Sequence, residues 1–203
     1  MAMRIAIGAA VLLVATTVSV GPREARADEP TDDGDTAASH HPPITNRVNL
    51  RVGAASTDSN GHPTICLDVR IVAGFGVESC GTGAQLLHND PGYEMMHARV
   101  TYAFAHRNVW KGTANFRGGV GFAEMQAGID HPGFIFGAPD KDRGSVSGPE
   151  ASLSAQLLLP LYKGVDFVMT GTGGLAYFAH AGELVATKSD LQPFVSLEAG
   201  VGW

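Results

Sequence analysis

Charge is scarce in this chain. Lys, Arg, Asp and Glu together make up 17% of its 203 residues, against roughly 25% in an average soluble domain. The charge present sums to −6 and forms no basic cluster, so nucleic-acid binding lacks its electrostatic footprint. There are only two cysteines, Cys66 and Cys80, enough for one internal disulfide in an exported chain. After Asp28 there is no apolar run of about 18 residues, so any later membrane crossing must be made by strands. Reactive motifs are missing as well. No His has Ser two residues later, no Gly-x-Ser-x-Gly elbow occurs, and the glycine clusters 171–174 and 118–121 lack the Lys of a phosphate loop. The histidines are scattered; His40-His41 has no metal-ligand spacing around it. We therefore expect no catalytic residue, cofactor or metal site.

What the chain has in excess is glycine, 26 residues, about twice the usual share of roughly 7%. Glycine weakens helix interiors by about 1 kcal/mol each and suits sheets with bends and close backbone approach. A helical bundle is disfavoured accordingly.

The N-terminus reads as a targeting segment. Arg4 opens it, Ile5–Val20 follows without a charge, and Gly21-Pro22 and Ala25-Arg26-Ala27 close it. Small residues flanking one variable position predict cleavage between Ala27 and Asp28, with residues 1–27 as signal peptide. The alternative, a membrane anchor, meets an apolar run short of the about 20 residues a spanning helix needs. Residues 28–45 hold Asp28, Glu29, Asp32, Asp33, Asp35, Pro42 and Pro43 and almost no large apolar side chain, which predicts a disordered acidic leader.

From Asn46 to Trp203 apolar and polar residues alternate with period two, the signature of half-exposed strands. Eight segments are expected: Arg47–Ala55, Thr64–Val72, Phe75–Gly81, Met95–His106, Thr113–Ala127, Glu150–Leu161, Val165–Ala179 and Leu191–Trp203. The connections alternate short (Ala73-Gly74, Asn108–Gly112, Tyr162–Gly164) and long (Ser56–Pro63, Thr82–Glu94, Gly128–Pro149, His180–Asp190). Residues 46–203 are expected to form an all-β, eight-stranded antiparallel up-and-down barrel.

Such alternation fits a soluble barrel or sandwich with its apolar face inside, or a transmembrane barrel with it outside. Three features favour the second. The polar face carries Arg51, Asp68, Arg70, Glu78, His97, Arg99, Arg117, Asp166 and Glu198, nearly balanced in sign, as a side-chain-filled lumen requires. Aromatics lie near segment ends: Phe104, Trp110, Tyr162 and Trp203 at one rim, Tyr93, Phe122 and Tyr177 at the other. Short turns at one end and longer loops at the other complete the pattern. Glu124 falls on the apolar face near the long-loop end, where headgroup-level charge costs little.

The final segment carries Val195, Leu197, Ala199, Val201 and Trp203 in alternation. It resembles the last strand of Gram-negative outer-membrane barrels, which ends in an aromatic residue. Val201 and Glu198 depart from that family's usual aromatic and glycine. The resemblance implies recognition by the barrel-assembly machinery. Across 47–203 the pattern is similar in architecture to the small OmpA/OmpX-like eight-stranded barrels, a likeness that carries no catalytic residues.

A hairpin about Ala73-Gly74 sets Cys66 opposite Cys80 and Asp68 opposite Glu78. The cysteines are expected to form a disulfide closing a loop worth roughly 3 kcal/mol by the chain-entropy model; free thiols are the alternative. The facing carboxylates suit an acid/base pair or, with Arg51, Arg70, Arg99 and Arg117 near, a structural ion network. The expected function is an outer-membrane barrel with a structural or surface-interaction role and a filled lumen. Its expected partners are outer-membrane lipid and an extracellular ligand met through the loops. The alternatives are a narrow pore for small solutes and a lipid-modifying enzyme.

Overall fold

The structure is a computed structural model describing residues 48–58, 61–72, 74–83, 87, 92–127, 136–137, 139, 144–186 and 188–203. The expected signal peptide 1–27, leader 28–45, His40-His41 and Arg47 lie outside the described residues.

Period-two alternation gives eight antiparallel strands: β1 (Val48–Ala55), β2 (Thr64–Val72), β3 (Phe75–Gly81), β4 (Tyr93–Val109), β5 (Gly112–Ala127), β6 (Ser145–Tyr162), β7 (Val165–Tyr177) and β8 (Leu191–Gly202). Among the described residues the only helix is the single turn α1 (Ala181–Leu184). Each strand pairs with its sequence neighbours and β1 pairs with β8, so the sheet closes into a ring. At the seam the Val48 N–H donates to the Trp203 carbonyl at 3.1 Å and the Trp203 N–H returns to the Val48 carbonyl at 3.0 Å.

The β6–β7 turn follows from local chemistry. Lys163 and Gly164 adopt φ of 34° and 85°, as a two-residue hairpin demands for its twist to match the strands. The expected bounds of β2 and β3 coincide with the observed ones. β4 and β6 run longer than expected. β6 starts at Ser145 and takes in Pro149, the last residue of the expected loop Gly128–Pro149. Its residues 145–149 pair with β5, whereas its pairing with β7 begins only at Glu150–Ala176; a proline is tolerated where a strand is paired on one side. β7 stops at Tyr177, two residues before the expected Ala179. Beyond it the chain reverses through His180, whose φ is 59°.

The wall is lopsided. β1, β2 and β3 have 8, 9 and 7 residues, whereas β4, β5 and β6 have 17, 16 and 18. The short strands still pair on both sides and close the ring, and a Cys66–Cys80 disulfide cross-links β2 to β3.

Two expectations about the long-loop end are corrected. Tyr93 is not a rim aromatic facing outward. It shares the inward register of Met95 and packs half-buried against the apolar cluster described below. Glu124 is not at an exposed headgroup level but 1% exposed. Nearby, Phe136 stacks edge-on against Phe122 at 5.0 Å and bridges Ser147, the β6 residue opposite Glu124.

Candidate functional site

Burial in this barrel is inverted. The outward positions of every strand carry large apolar side chains that stay exposed, among them Val52, Leu67, Val100, Val120, Leu153, Met169 and Leu197. Scattered exposed apolar residues are ordinary on soluble proteins, but a continuous band around a whole domain is not. The inward positions hold the ionisable groups: Arg51, Asp68, Glu78, His97, Arg99, Arg117 and Glu198 are all buried, Arg51 at 0% exposure. This follows from register, since a period-two strand sends alternate residues to opposite faces.

Glu78 is the hub of the lumen. Arg51 Nη2 donates to it at 2.5 Å, Arg99 Nε at 2.7 Å and Arg117 Nη2 at 2.9 Å. Arg117 Nη1 also donates to Asp68 at 2.6 Å, and Asn49 Nδ2 to the same carboxylate at 3.1 Å. Arg51 Nη1 reaches across the lumen to Thr170 on β7 at 2.8 Å. Above the hub His97 Nδ1 meets Glu150 at 2.5 Å, and Arg99 Nη1 approaches Glu150 at 3.9 Å. Three arginines thus face three carboxylates. Of the residues singled out from sequence, Arg51, Asp68, Glu78, Arg99 and Arg117 form one connected network, and His97 joins it through Glu150. Arg70 is half-buried beside Asp68 and Arg117 at the edge of the network. Glu198 is buried on β8 beside Ser196, within electrostatic reach of Arg51, Glu78 and Arg99. Asp166 is buried toward the short-turn end, opposite Gly202.

Glu150 was missed because it follows Pro149; its parity with Ser152, Ser154 and Gln156 was the available signal. The apolar half of the lumen was missed too. Toward the long loops, Met95, Ala123, Met125, Val146, Ala176 and Phe194 turn inward and pack under Phe178 and Ala181. The β7–β8 connection forms a lid over this cluster. It is fastened by Asp190, whose carbonyl accepts from the Phe178 N–H at 2.7 Å and whose carboxylate accepts from the Ala181 N–H at 3.0 Å. Phe194 marks the boundary between the halves, with the His97 ring at 4.4 Å and the Arg99 guanidinium at 5.8 Å from its centroid.

At the mouth the Thr64 hydroxyl donates to Asp58 and the Thr82 hydroxyl to Glu94. Burial pushes the Asp58 carboxyl above its ordinary range; the Thr64 bond opposes that rise. At the short-turn end Trp110, Tyr162 and Trp203 are exposed, with Lys111 and Lys163 ammonium groups 5.6 Å and 5.2 Å from the Trp110 and Tyr162 ring centroids. At the long-loop end Phe122 and Tyr177 remain outward. In the terminal strand Val195, Leu197, Val201 and Trp203 are exposed on the outer wall and Ala199 is half-buried in the same register.

No helix among the described residues is long and apolar enough to cross a membrane, which leaves strand crossing open. No family model matches the chain, and no curated protein or solved structure resembles it significantly.

Proposed function

We propose that this chain is an outer-membrane β-barrel with a structural or surface-interaction role, exported by residues 1–27 and inserted with its short turns in the periplasm. The observation that carries this reading is the inverted burial: arginines sealed inside, valines and leucines bare outside. In water that arrangement forgoes burial worth about 1.5–3 kcal/mol per large apolar side chain; in hydrocarbon it becomes the favourable one. The aromatic residues at both ends and the exposed alternating face of β8 support the same orientation and the reading of β8 as the signal for the assembly machinery. The lumen, filled by the Glu78 network and closed by the Phe178–Phe194 cluster, supports an anchoring role in which the long loops meet the exterior.

The test is expression of the full chain in a Gram-negative host. We expect recovery in the outer-membrane fraction, cleavage before Asp28, faster gel migration unboiled than boiled, and no steady conductance in planar bilayers. Recovery as a soluble periplasmic protein with identical migration in both states would refute membrane insertion. A stable open conductance would refute the filled lumen.

A further inference from the structure

The outer wall is not uniformly convex. A groove of about 550 Å³ crosses β4–β7 at mid-height. Its floor is Gly118, Ala151 and Gly173, and its sides are Phe75, Tyr102, Val120, Leu153 and Leu175. Register explains the shape. The row Tyr102–Gly118–Leu153–Gly173–Val195 places a glycine on each side of the projecting Leu153, which is 67% exposed. Phe75 stacks on Tyr102 at 4.6 Å and forms one end wall.

Neither floor glycine is there for the backbone or for packing. Both keep φ outside the left-handed region. A Cβ built on Gly118 meets nothing within 4 Å, and one on Gly173 meets only Val195 Cγ1, at the ordinary distance of 3.8 Å. Mid-strand glycine costs roughly 0.5–1 kcal/mol relative to alanine, so two positions that have room for a side chain do without one. What the glycines preserve is the depth of the groove.

We propose that this groove is a binding site for one acyl chain of a membrane lipid. The inference rests on the membrane orientation given above. The side chains on the groove's outward face are apolar, and the groove is continuous with the exposed band, so its occupant comes from whatever covers that band. A second copy of this chain is a poor fit, because a two-fold contact centred here would face one concavity with another and leave a void. A slender, flexible hydrocarbon fills the hollow, and its gain over bulk lipid is dispersion contact with the floor and walls.

The test uses the full chain, folded in nanodiscs made of equal parts palmitoyl-oleoyl phosphatidylethanolamine and phosphatidylglycerol, doped with a phosphatidylcholine spin-labelled midway along one acyl chain. Paramagnetic broadening of backbone amides is read by NMR. We expect broadening of the Val120, Ala151 and Leu175 amides to exceed that of Val52 and Leu67 on the far wall. The Gly118→Leu/Gly173→Leu variant is expected to lose the excess and leave Val52 and Leu67 unchanged. Unboiled gel migration verifies its fold, and Gly118→Val alone serves if the double variant fails to fold. Equal broadening around the whole ring in wild type would overturn the groove site while leaving the membrane orientation standing. Groove amides broadened less than the far wall, with protection that grows with protein-to-lipid ratio, would assign the groove to a protein neighbour and also overturn it. No broadening at any outward position would remove the membrane reading itself.

Discussion

Replacing Glu78 by Gln perturbs the interior at one atom. The side chain is 2% exposed and accepts from three guanidinium groups within 2.9 Å. Gln keeps the volume and one acceptor oxygen, so packing is conserved and the change is electrostatic. Arg51, Arg99 and Arg117 then lose the one carboxylate that all three share and keep Asp68 and Glu150 as direct partners, with Glu198 in electrostatic reach of Arg51 and Arg99. Removing one partner of a buried pair costs about 3–5 kcal/mol; because the lost carboxylate is shared by three arginines, the low end, about 3 kcal/mol, is the minimum expected. In urea unfolding of micelle-folded protein, followed by Trp110 and Trp203 emission, a loss of that size lowers the midpoint by roughly 1–3 M for slopes of about 1–3 kcal/mol per M. The slope itself is expected to stay constant. A cycle with Arg51→Met sharpens the test: the double variant restores the balance of charge, so it is expected to lose less than the two single losses combined, with a coupling of about 0.5–3 kcal/mol. A Glu78→Gln unfolding free energy within about 0.5 kcal/mol of wild type, or strict additivity in the cycle, would refute the hub.

Three further outcomes are expected. Replacing Cys66 and Cys80 together by Ser opens a cross-link spanning 14 residues in sequence and is expected to lower unfolding stability by about 3 kcal/mol, matched by wild type under reducing conditions; no midpoint change in either would count against a stabilising bridge. Acidification should favour the β1–β2 loop: the raised Asp58 carboxyl holds its proton more tightly folded than unfolded, so its contribution is full below the unfolded value and is lost as pH rises through the folded one. Asp58→Asn is therefore expected to gain on wild type at neutral pH and to lose that advantage toward acid, read as the difference in urea midpoint; a gap that widens in acid contradicts the sign. Trp203→Ala removes the exposed terminal aromatic of β8, and pulse-chase of heat-modifiable protein in cells is expected to show slower assembly with little change in the stability of refolded barrel; equal assembly rates would remove the recognition role.

How much was legible in the sequence depends on which forces act on each strand. Where one face is apolar and the other a charged interior, parity carries the structure: Thr64–Val72 and Phe75–Gly81 appear with the expected bounds, and the hairpin register that sets Cys66 on Cys80 and Asp68 on Glu78 is the observed one. Parity fails where both faces share one polarity. Near the long loops Met95, Met125 and Val146 turn inward onto an apolar plug, so the inward polar signal vanishes there although the strands continue. Glu124 reads as outward and is outward in register, yet period two does not anticipate its burial. Pairing across the ring is beyond local pattern too. That Arg51 reaches Thr170 depends on closure of β1 against β8, and that His97 meets Glu150 depends on β4 and β6 both pairing with β5.

The two halves of the lumen pull in different directions, and their order along the axis decides what the barrel can carry. A solute entering past the short turns would first meet Asp166, Arg70 and Asn49, then the three arginines held by Glu78, and finally Phe194 and Phe178 under the Asp190-fastened lid. Parting the ion network means separating buried charges, at about 3–5 kcal/mol for each partner left alone. Opening the plug means exposing apolar side chains to water at about 25 cal/mol per Å². A pore would need both at once, because neither layer bypasses the other in a ring this narrow. The same stacking compensates for the short wall of β1–β3. Those strands are about half as long as β4–β6, and Arg51, Asp68, Glu78 and the Cys66–Cys80 bridge all sit on them. The side of the barrel with the least sheet thus holds most of the cross-links.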